Sequence, residues 1–444
     1  MIAATKKKLL TEFIGGIVKE ALLLAEGSEG REPTKEQIDA TFDLLKTLTQ
    51  NTKFSGKTYV AGGAVRDMVM GINPKDIDIV VEMEEGGIRF ATYIAKRLGI
   101  FKEGSNPVTF PKFGTAKVSF DGVEHNGIKL DGIDVEVVNT REEEYEEGSR
   151  KPTTKFGTIK QDVFRRDLTI NSLLMDLVSG EIVDLTGHGR EDIAKGVIRT
   201  PSEPDRIFTD DPLRLLRAAR FAGRYNYTMP DFMRDSIKKN AAQLETISKE
   251  RIREELEKIL SGSNPETGMA YLFDLGLVPF IIPQISNKKP ESMEAAQRGV
   301  GFLGKLILML KDLSPNTVAG IARDLKFSNE QVTALSTVVE EMQRISTNHT
   351  NASILRAGTN LYTRGYKEYI DMLKPLDKQV SQLEPYFSKG PVVYFTGDEL
   401  MRALNLKPGP IVGKLINYQK NLWYENPEIT GDEAMEKLVQ ELGK

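Results

Sequence analysis

The sequence predicts an α+β protein: a head with a small mixed sheet, followed by an all-helical remainder. Three observations carry that prediction. Between Lys57 and about Asp184, short runs rich in Val and Ile alternate with Gly-containing or charged punctuation (TYVAGG, DIDIVVE, GTAKVSF, IDVEVVN, EIVDL), which is the pattern of strands. Beyond about Asp192 the apolar period becomes helical, as in PLRLLRAARFAGRY, KERIREELEKILSG and AMEKLVQELG, and stays so nearly to the C-terminus. Length is the third: 444 residues, at roughly 100–200 per domain, fill two to four compact units.

Taken in order, residues 1–50 read as an N-terminal helical extension, one or two helices joined by the turn Gly27 to Pro33. Residues 51–200 form the head, with segments 62–71 and 87–98 helical between the strands. The helical part divides into 201–285, 286–390 and 391–444, with Asp231 and Ser248 standing as caps ahead of charged turns. Composition narrows the function. The absence of Cys excludes a disulfide partner, a thiolate metal site and a Cys nucleophile. No run of about 18 uncharged apolar residues occurs, so no membrane span is expected. The start, Lys6 to Lys8 followed by Glu12, Lys19 and Glu20, makes a poor signal peptide, and a soluble cytoplasmic protein is expected. With 60 basic against 64 acidic residues and a net charge of −4, nucleic-acid contacts must come from local patches.

The chemistry starts at NPKDIDIVV. On a strand, Asp76 and Asp78 share one face while Ile77 and Ile79 point to the core, and paired carboxylates suit a hard divalent cation. A solvated strand face is the plainer reading of a lone D-x-D. Fourteen positions before Asp76 lies Gly62-Gly63-Ala64-Val65-Arg66-Asp67, following a short apolar strand. A strand entering Gly-Gly and then a helix presents backbone N–H groups that suit a triphosphate, with Arg66 as a fixed cation. Six residue types at fixed spacing recur by chance in a chain this long with a probability on the order of 10⁻⁵.

GGAVRDMVMGINPKDIDIV resembles the first motif of class II tRNA nucleotidyltransferases (CCA-adding enzymes) and bacterial poly(A) polymerases. Their head has the polymerase-β-like nucleotidyltransferase fold. The similarity continues through VEVVNTREEEYEEGSRKP, DVFRRDLTINSLLMD, DLTGHGREDI, DDPLRLLRAARFA and ISKERIREELEKIL, thins after about residue 285, and returns in GDELMRALNLKPGPIVGKLI. The resemblance implies a catalytic head at 51–200, a nucleotide-selecting neck at 201–285, a body at 286–390 and a tRNA-binding tail at 391–444. It also implies nucleotidyl transfer with two Mg²⁺ ions, from CTP and ATP to the 3′ end of tRNA with release of pyrophosphate. Such ions, about 3.5–4 Å apart, activate the attacking oxygen and neutralise the leaving one.

Within that frame Asp76 and Asp78 are the expected metal ligands, and Glu136 in DVEVV is a candidate third carboxylate, with Asp134 on the same face as its rival. In FRRDLTIN, Arg165 and Arg166 would meet phosphates or base and Asp167 would accept from a ribose 2′-OH; Gly62, Gly63 and Asp67 complete the nucleotide-binding set. Asp211 and Arg214 lie i,i+3 on a helix that Pro212 begins, with an Asp as N-cap. An acceptor beside a donor matches the Watson–Crick edges of C and A and leaves polar groups unpaired against G and U. An ordinary i,i+3 ion pair is the alternative. Arg217, Arg220 and Arg224 extend a basic stripe from Arg214, read either as an RNA phosphate contact or as a solvated face, with Arg217 assigned to the nucleotide and Arg220, Arg224 and Lys414 to RNA.

Loop 142–156 sits where the family carries a flexible loop that helps switch from C to A addition, with Arg150 and Lys151 as its basic part. The family's D-x-x-G-G-x-x-D runs one residue longer here, Asp184 to Asp192 with His188 between the glycines, and His188 reads as a turn residue. No His-Asp dipeptide occurs, so the phosphohydrolase domain that some relatives append is not expected. The tail motif and the lack of a highly basic C-terminal extension favour CCA addition over poly(A) synthesis. A CC-only or A-only specialist and a small-molecule nucleotidyltransferase are the remaining alternatives.

Overall fold

The computed structural model describes residues 32–111, 114–144, 153–374 and 379–443. The chain divides into two compact units, the first running to Asp210 with Thr228–Met233 added, the second comprising Asp211–Tyr227 and the chain from Arg234 onward.

The first unit is mixed α and β, as the strand-like runs predict. Its elements are α1 (Lys35–Thr49), β1 (Thr58–Ala61), α2 (Gly63–Val69), β2 (Ile77–Val81), α3 (Gly86–Arg97), β3 (Val108–Phe110), β4 (Thr115–Ser119), β5 (Glu124–His125), β6 (Ile128–Lys129) and β7 (Asp134–Asn139). They continue with β8 (Arg141–Glu144), β9 (Thr153–Phe156), α4 (Ile159–Phe164), β10 (Leu174–Asp176), β11 (Ile182–Val183), α5 (Gly189–Lys195) and α6 (Pro204–Asp210). Seven strands form one sheet in the order β11-β10-β1-β2-β7-β4-β3. Every neighbouring pair is antiparallel except β2 and β7, which run parallel.

Alternation along the strands sorts side chains between two faces. Ile77, Ile79 and Val81 of β2, with Val135 and Val137 of β7, join Phe90 and Ile94 of α3 in the main core. Val80 points the other way, into a smaller cluster with Ala61, Val163 and Leu174 that packs against α4. Asp78 and Glu136 share this second face with Val80 and Val138, beyond the reach of that cluster. Helix α1 begins at a capping box between Thr34 and Gln37 and buries Ile38, Leu44 and Leu45 in the main core. The head's core therefore starts at Ile38 and not at residue 51; residues 1–31 of the expected extension lie outside the described residues.

The second unit, as described, holds helices and no strand. After α7 (Leu213–Tyr225) and α8 (Asp231–Asn240), whose first residues belong to the other unit, come α9 (Lys249–Leu260), α10 (Pro265–Asp274), α11 (Val278–Ile281), α12 (Lys289–Arg298) and α13 (Gly301–Leu310). Then follow α14 (Pro315–Asp324), α15 (Asn329–Thr347), α16 (Asn351–Thr363), α17 (Val380–Phe387), α18 (Gly397–Ala403), α19 (Pro410–Glu425) and α20 (Gly431–Leu442). Helices α7 and α10 meet backbone to backbone: a Cβ on Gly223 would lie 2.6 Å from the Cα of Gly268, so position 223 does not accept a side chain. The tail has small cores of its own, one around Leu400, Leu415 and Leu438 and another around Leu422, Ile429 and Ala434. Among the described residues no helix is long and apolar enough to cross a membrane.

Candidate active site

The parallel pairing of β2 and β7 sets Asp78 directly opposite Glu136. Asp76 stands exposed at the bend just before β2. Burial pushes the Asp78 carboxyl up to about 6, Glu136 and Asp76 push the same way, and Arg166 pulls against them. Like charges gathered on one face are costly unless a cation answers them. Asp134, the rival to Glu136, is engaged elsewhere: its Oδ2 accepts from Lys117 Nζ at 2.6 Å, which holds the lysine above its ordinary range. Among the described residues no three His, Asp or Glu side chains gather closely enough to hold an ion by themselves. An open pair of carboxylates nonetheless fits Mg²⁺, which takes one or two carboxylates and completes its shell with water and substrate phosphates.

Gly62 precedes α2 with φ of 67°, and a Cβ there would lie 3.1 Å from Arg166 Nη1. Conformation and space both require glycine. Arg66 is held fixed from within the fold. It is 5% exposed, and its guanidinium donates to Asp67 Oδ1 at 2.7 and 2.8 Å and to Asn171 Oδ1 at 2.6 Å. Two buried polar side chains need those donors. Asn171 also donates to Asp167 Oδ1 at 3.1 Å, which accepts from the Leu168 N–H as well. Asp167 is thereby locked in place and nearly buried.

Arg165 and Arg166 follow the last turn of α4 and converge on Asp162, a residue the sequence reading missed. Asp162 Oδ1 accepts from Arg165 at 2.5 Å and Oδ2 from Arg166 at 3.0 Å. The signal was available: Asp162 lies i,i+3 and i,i+4 from the two arginines, within reach on one helical turn. The DLTGHGREDI segment is held by Asp184, which accepts from Thr186 Oγ1 and from the N–H groups of Gly187 and Arg190. Buried Asp192 accepts from Thr169 Oγ1 at 2.6 Å, so this segment braces the stretch that carries Arg165 to Asn171.

In the second unit, Asp211 Oδ1 accepts from the Leu213 N–H at 3.2 Å, with Pro212 at the cap position. Arg251 Nη2 reaches both Asp211 oxygens at 3.3 and 3.4 Å, a partner that sequence reasoning missed. Arg214 is almost wholly buried. The basic stripe is corrected at Arg220, whose Nε donates to Glu255 Oε2 at 2.7 Å with side chains 11% and 3% exposed. Buried Glu255 of α9 draws the guanidinium inward, so it is not a fully solvated face. Arg217 and Arg224 lie against the rings of Phe221 and Tyr225, and Lys414 is exposed on α19. The ends of loop 142–156 pair as a β8–β9 ladder from Arg141↔Phe156 to Glu144↔Thr153. Arg150 and Lys151 lie outside the described residues.

Residues 58–199 match the family model for the poly A polymerase head domain, and residues 226–289 match one described as a probable RNA and SrmB-binding site of polymerase A. The CCA tRNA nucleotidyltransferase, mitochondrial, of Saccharomyces cerevisiae is 39% identical over 50% of this chain and 43% of its own length. The chain thus spans less than half of that relative. The CCA-adding enzyme of Limosilactobacillus fermentum is 26% identical over 86% of this chain and 92% of its own. The Bacillus stearothermophilus CCA-adding enzyme in complex with CTP shares the fold, with a TM-score of 0.64 at 22% identity over 92% of this chain and 98% of that one. These matches run over the stretches whose motifs pointed there, and residues 58–199 form a head domain of the poly A polymerase family.

Proposed function

We propose that the chain adds CCA to the 3′ end of tRNA from CTP and ATP, without a nucleic-acid template and with release of pyrophosphate. The observation that carries the reading is Asp78 set opposite Glu136 on one sheet face, with Asp76 beside them and Arg166 close enough to lower the Asp78 pKa. The names of the relatives support the same reading.

Asp76 and Asp78 would hold Mg²⁺, which when bound supplies activation of the attacking hydroxyl and neutralisation of the leaving pyrophosphate. Arg165 and Arg166 bind the triphosphate. Their complex with Asp162 joins two positive charges to one negative, so a net positive charge remains to meet phosphate. Asp167 accepts from the ribose. Asp211 and Arg214 read the base edge by offering one acceptor and one donor, and Arg251 holds Asp211 in its orientation. The head, from α1 to about residue 200, catalyses, the neck at 201–285 selects nucleotides, and the body at 286–390 and tail at 391–444 hold tRNA.

The test is incorporation onto tRNA lacking its last three nucleotides and onto a generic oligoribonucleotide, with Mg²⁺ and each nucleotide singly and together. Addition of three nucleotides to the tRNA and then a stop is the expected result. The description of the matching head model favours poly(A) synthesis as a second reading; long A tracts on either RNA would establish it and overturn CCA addition. Two C or one A followed by a stop would mark a specialist.

A further inference from the structure

One buried carboxylate holds both arginines that the proposed reaction places on the triphosphate. Asp162, on α4, has a side chain only 1% exposed. Its Oδ1 accepts from Arg165 Nη2 at 2.5 Å, and its Oδ2 accepts from Arg166 Nη2 at 3.0 Å and Nε at 3.3 Å. A carboxylate has about four lone-pair sites, so one Asp serves two guanidinium groups at once. Burial opposes its charge, but Arg166 and Arg165 prevail and hold its pKa below the usual carboxylate range.

Each arginine has a second tether. Arg166 Nη1 donates to the Asn171 carbonyl at 3.1 Å, and Arg165 Nε donates to the carbonyl of Arg141, the first residue of β8, at 3.2 Å. The two side chains nevertheless remain 21% and 19% exposed. An arginine already fixed in one orientation loses less rotamer entropy when it binds phosphate.

We infer that Asp162 is a positioning residue for nucleotide binding, and that through Arg165 it ties the base of the β8–β9 hairpin to the triphosphate site. The inference rests on the reading of Arg165 and Arg166 as triphosphate ligands. A nucleotide that draws Arg165 outward loosens its hold on the Arg141 carbonyl, and a hairpin that shifts carries Arg165 with it. The coupling acts in both directions.

The test compares the full chain with Asp162→Asn, which keeps the shape and removes the charge. KM for CTP and for ATP is expected to rise about tenfold alike, the effect of one lost charge-assisted hydrogen bond. The kcat stays within about twofold, while amides of β8 and β9 exchange about tenfold faster. A lower melting temperature with parental KM and parental hairpin exchange would make Asp162 a fold element only and overturn the inference. Because a buried pair of arginines left without their anion can prevent folding, Arg165→Lys is the second variant. It keeps the cation but lacks the fork that reaches both Asp162 and the Arg141 carbonyl. It is expected to raise KM and speed hairpin exchange at a parental melting temperature; unchanged exchange overturns the tether. Hairpin exchange is read without nucleotide, so it decides the tether even if the parent transfers none, a failure that would fall on the proposed function alone.

Discussion

Arginines are used in opposite ways in the two units. In the head, Asp162 is 1% exposed while Arg165 and Arg166 keep about a fifth of their side chains in solvent. On α7, Arg220 sinks to 11% exposure against Glu255 at 3%, with its guanidinium carbon 4.2 Å from the centre of the Phe221 ring. One deep anion with two outward cations leaves a net positive site beside the carboxylates of β2 and β7. Glu255, which also accepts from Lys258 Nζ at 3.2 Å, draws Arg220 inward and ties α7 to α9. The depth at which the cation sits, more than the count of basic residues, separates the two arrangements.

The largest expected effect separates charge that acts from charge that packs. Asp78→Asn should lower nucleotide transfer more than about a thousandfold, since several kcal/mol of charge stabilisation in the transition state depends on the ion it holds. The same variant should stabilise the metal-free protein. The folded-state pKa of Asp78 is raised to about 6, so the folded state binds the proton more tightly than the unfolded chain does. The penalty is full above about pH 6 and gone below the ordinary aspartate value. With chelator at pH 7.5, thermal melts should show a gain of about 1–2 kcal/mol, discounted for partial exposure. The gain should vanish near pH 4.

Next comes the packed pair. Glu255→Ala strands Arg220 in the interior and should destabilise by about 3–5 kcal/mol in denaturant titration. Nucleotide selection should stay as in the parent at temperatures where the variant is folded. A stable variant that loses RNA affinity would instead make Arg220 a phosphate contact. Asp211→Ala and Arg214→Ala should relax discrimination against GTP and UTP by about 10–200-fold, read from kcat/KM for the four nucleotides. Unchanged discrimination would make that pair an ordinary helix contact. The smallest effect belongs to Lys414→Ala: an exposed lysine on a phosphate costs a few-fold in tRNA affinity and lowers the salt slope by about one.

The same contrast explains what the sequence revealed. All five strand runs lie in the sheet, and in β2 two-sided burial at Ile79, Val80 and Val81 favours β-branched residues. Asp76 and Asp78 were legible, since a period of two fixes their common face once Ile77 and Ile79 are core. Glu136 was legible only as one of two candidates. The pairing that places it against Asp78 and ties Asp134 to Lys117 is long-range. Strand β3, three residues long with all of them exposed, and the two-residue strands of the β5–β6 hairpin are too short to show the alternation that marks a strand. On α7 the helical period was plain, but the anion that turns Arg220 inward comes from another helix, 35 residues on. Asp162 is legible from the chain around it, because it lies three and four residues before the two arginines on one helical turn.

The most direct test extends tRNA lacking its last three nucleotides, using the parent and Asp162-intact Asp78→Asn at matched folded content, with CTP, ATP and Mg²⁺ and products resolved to one nucleotide. The account requires three added nucleotides and a stop from the parent, and none from the variant. A variant as active as the parent would remove Asp78 from the chemistry, and long A tracts from the parent would contradict CCA addition itself.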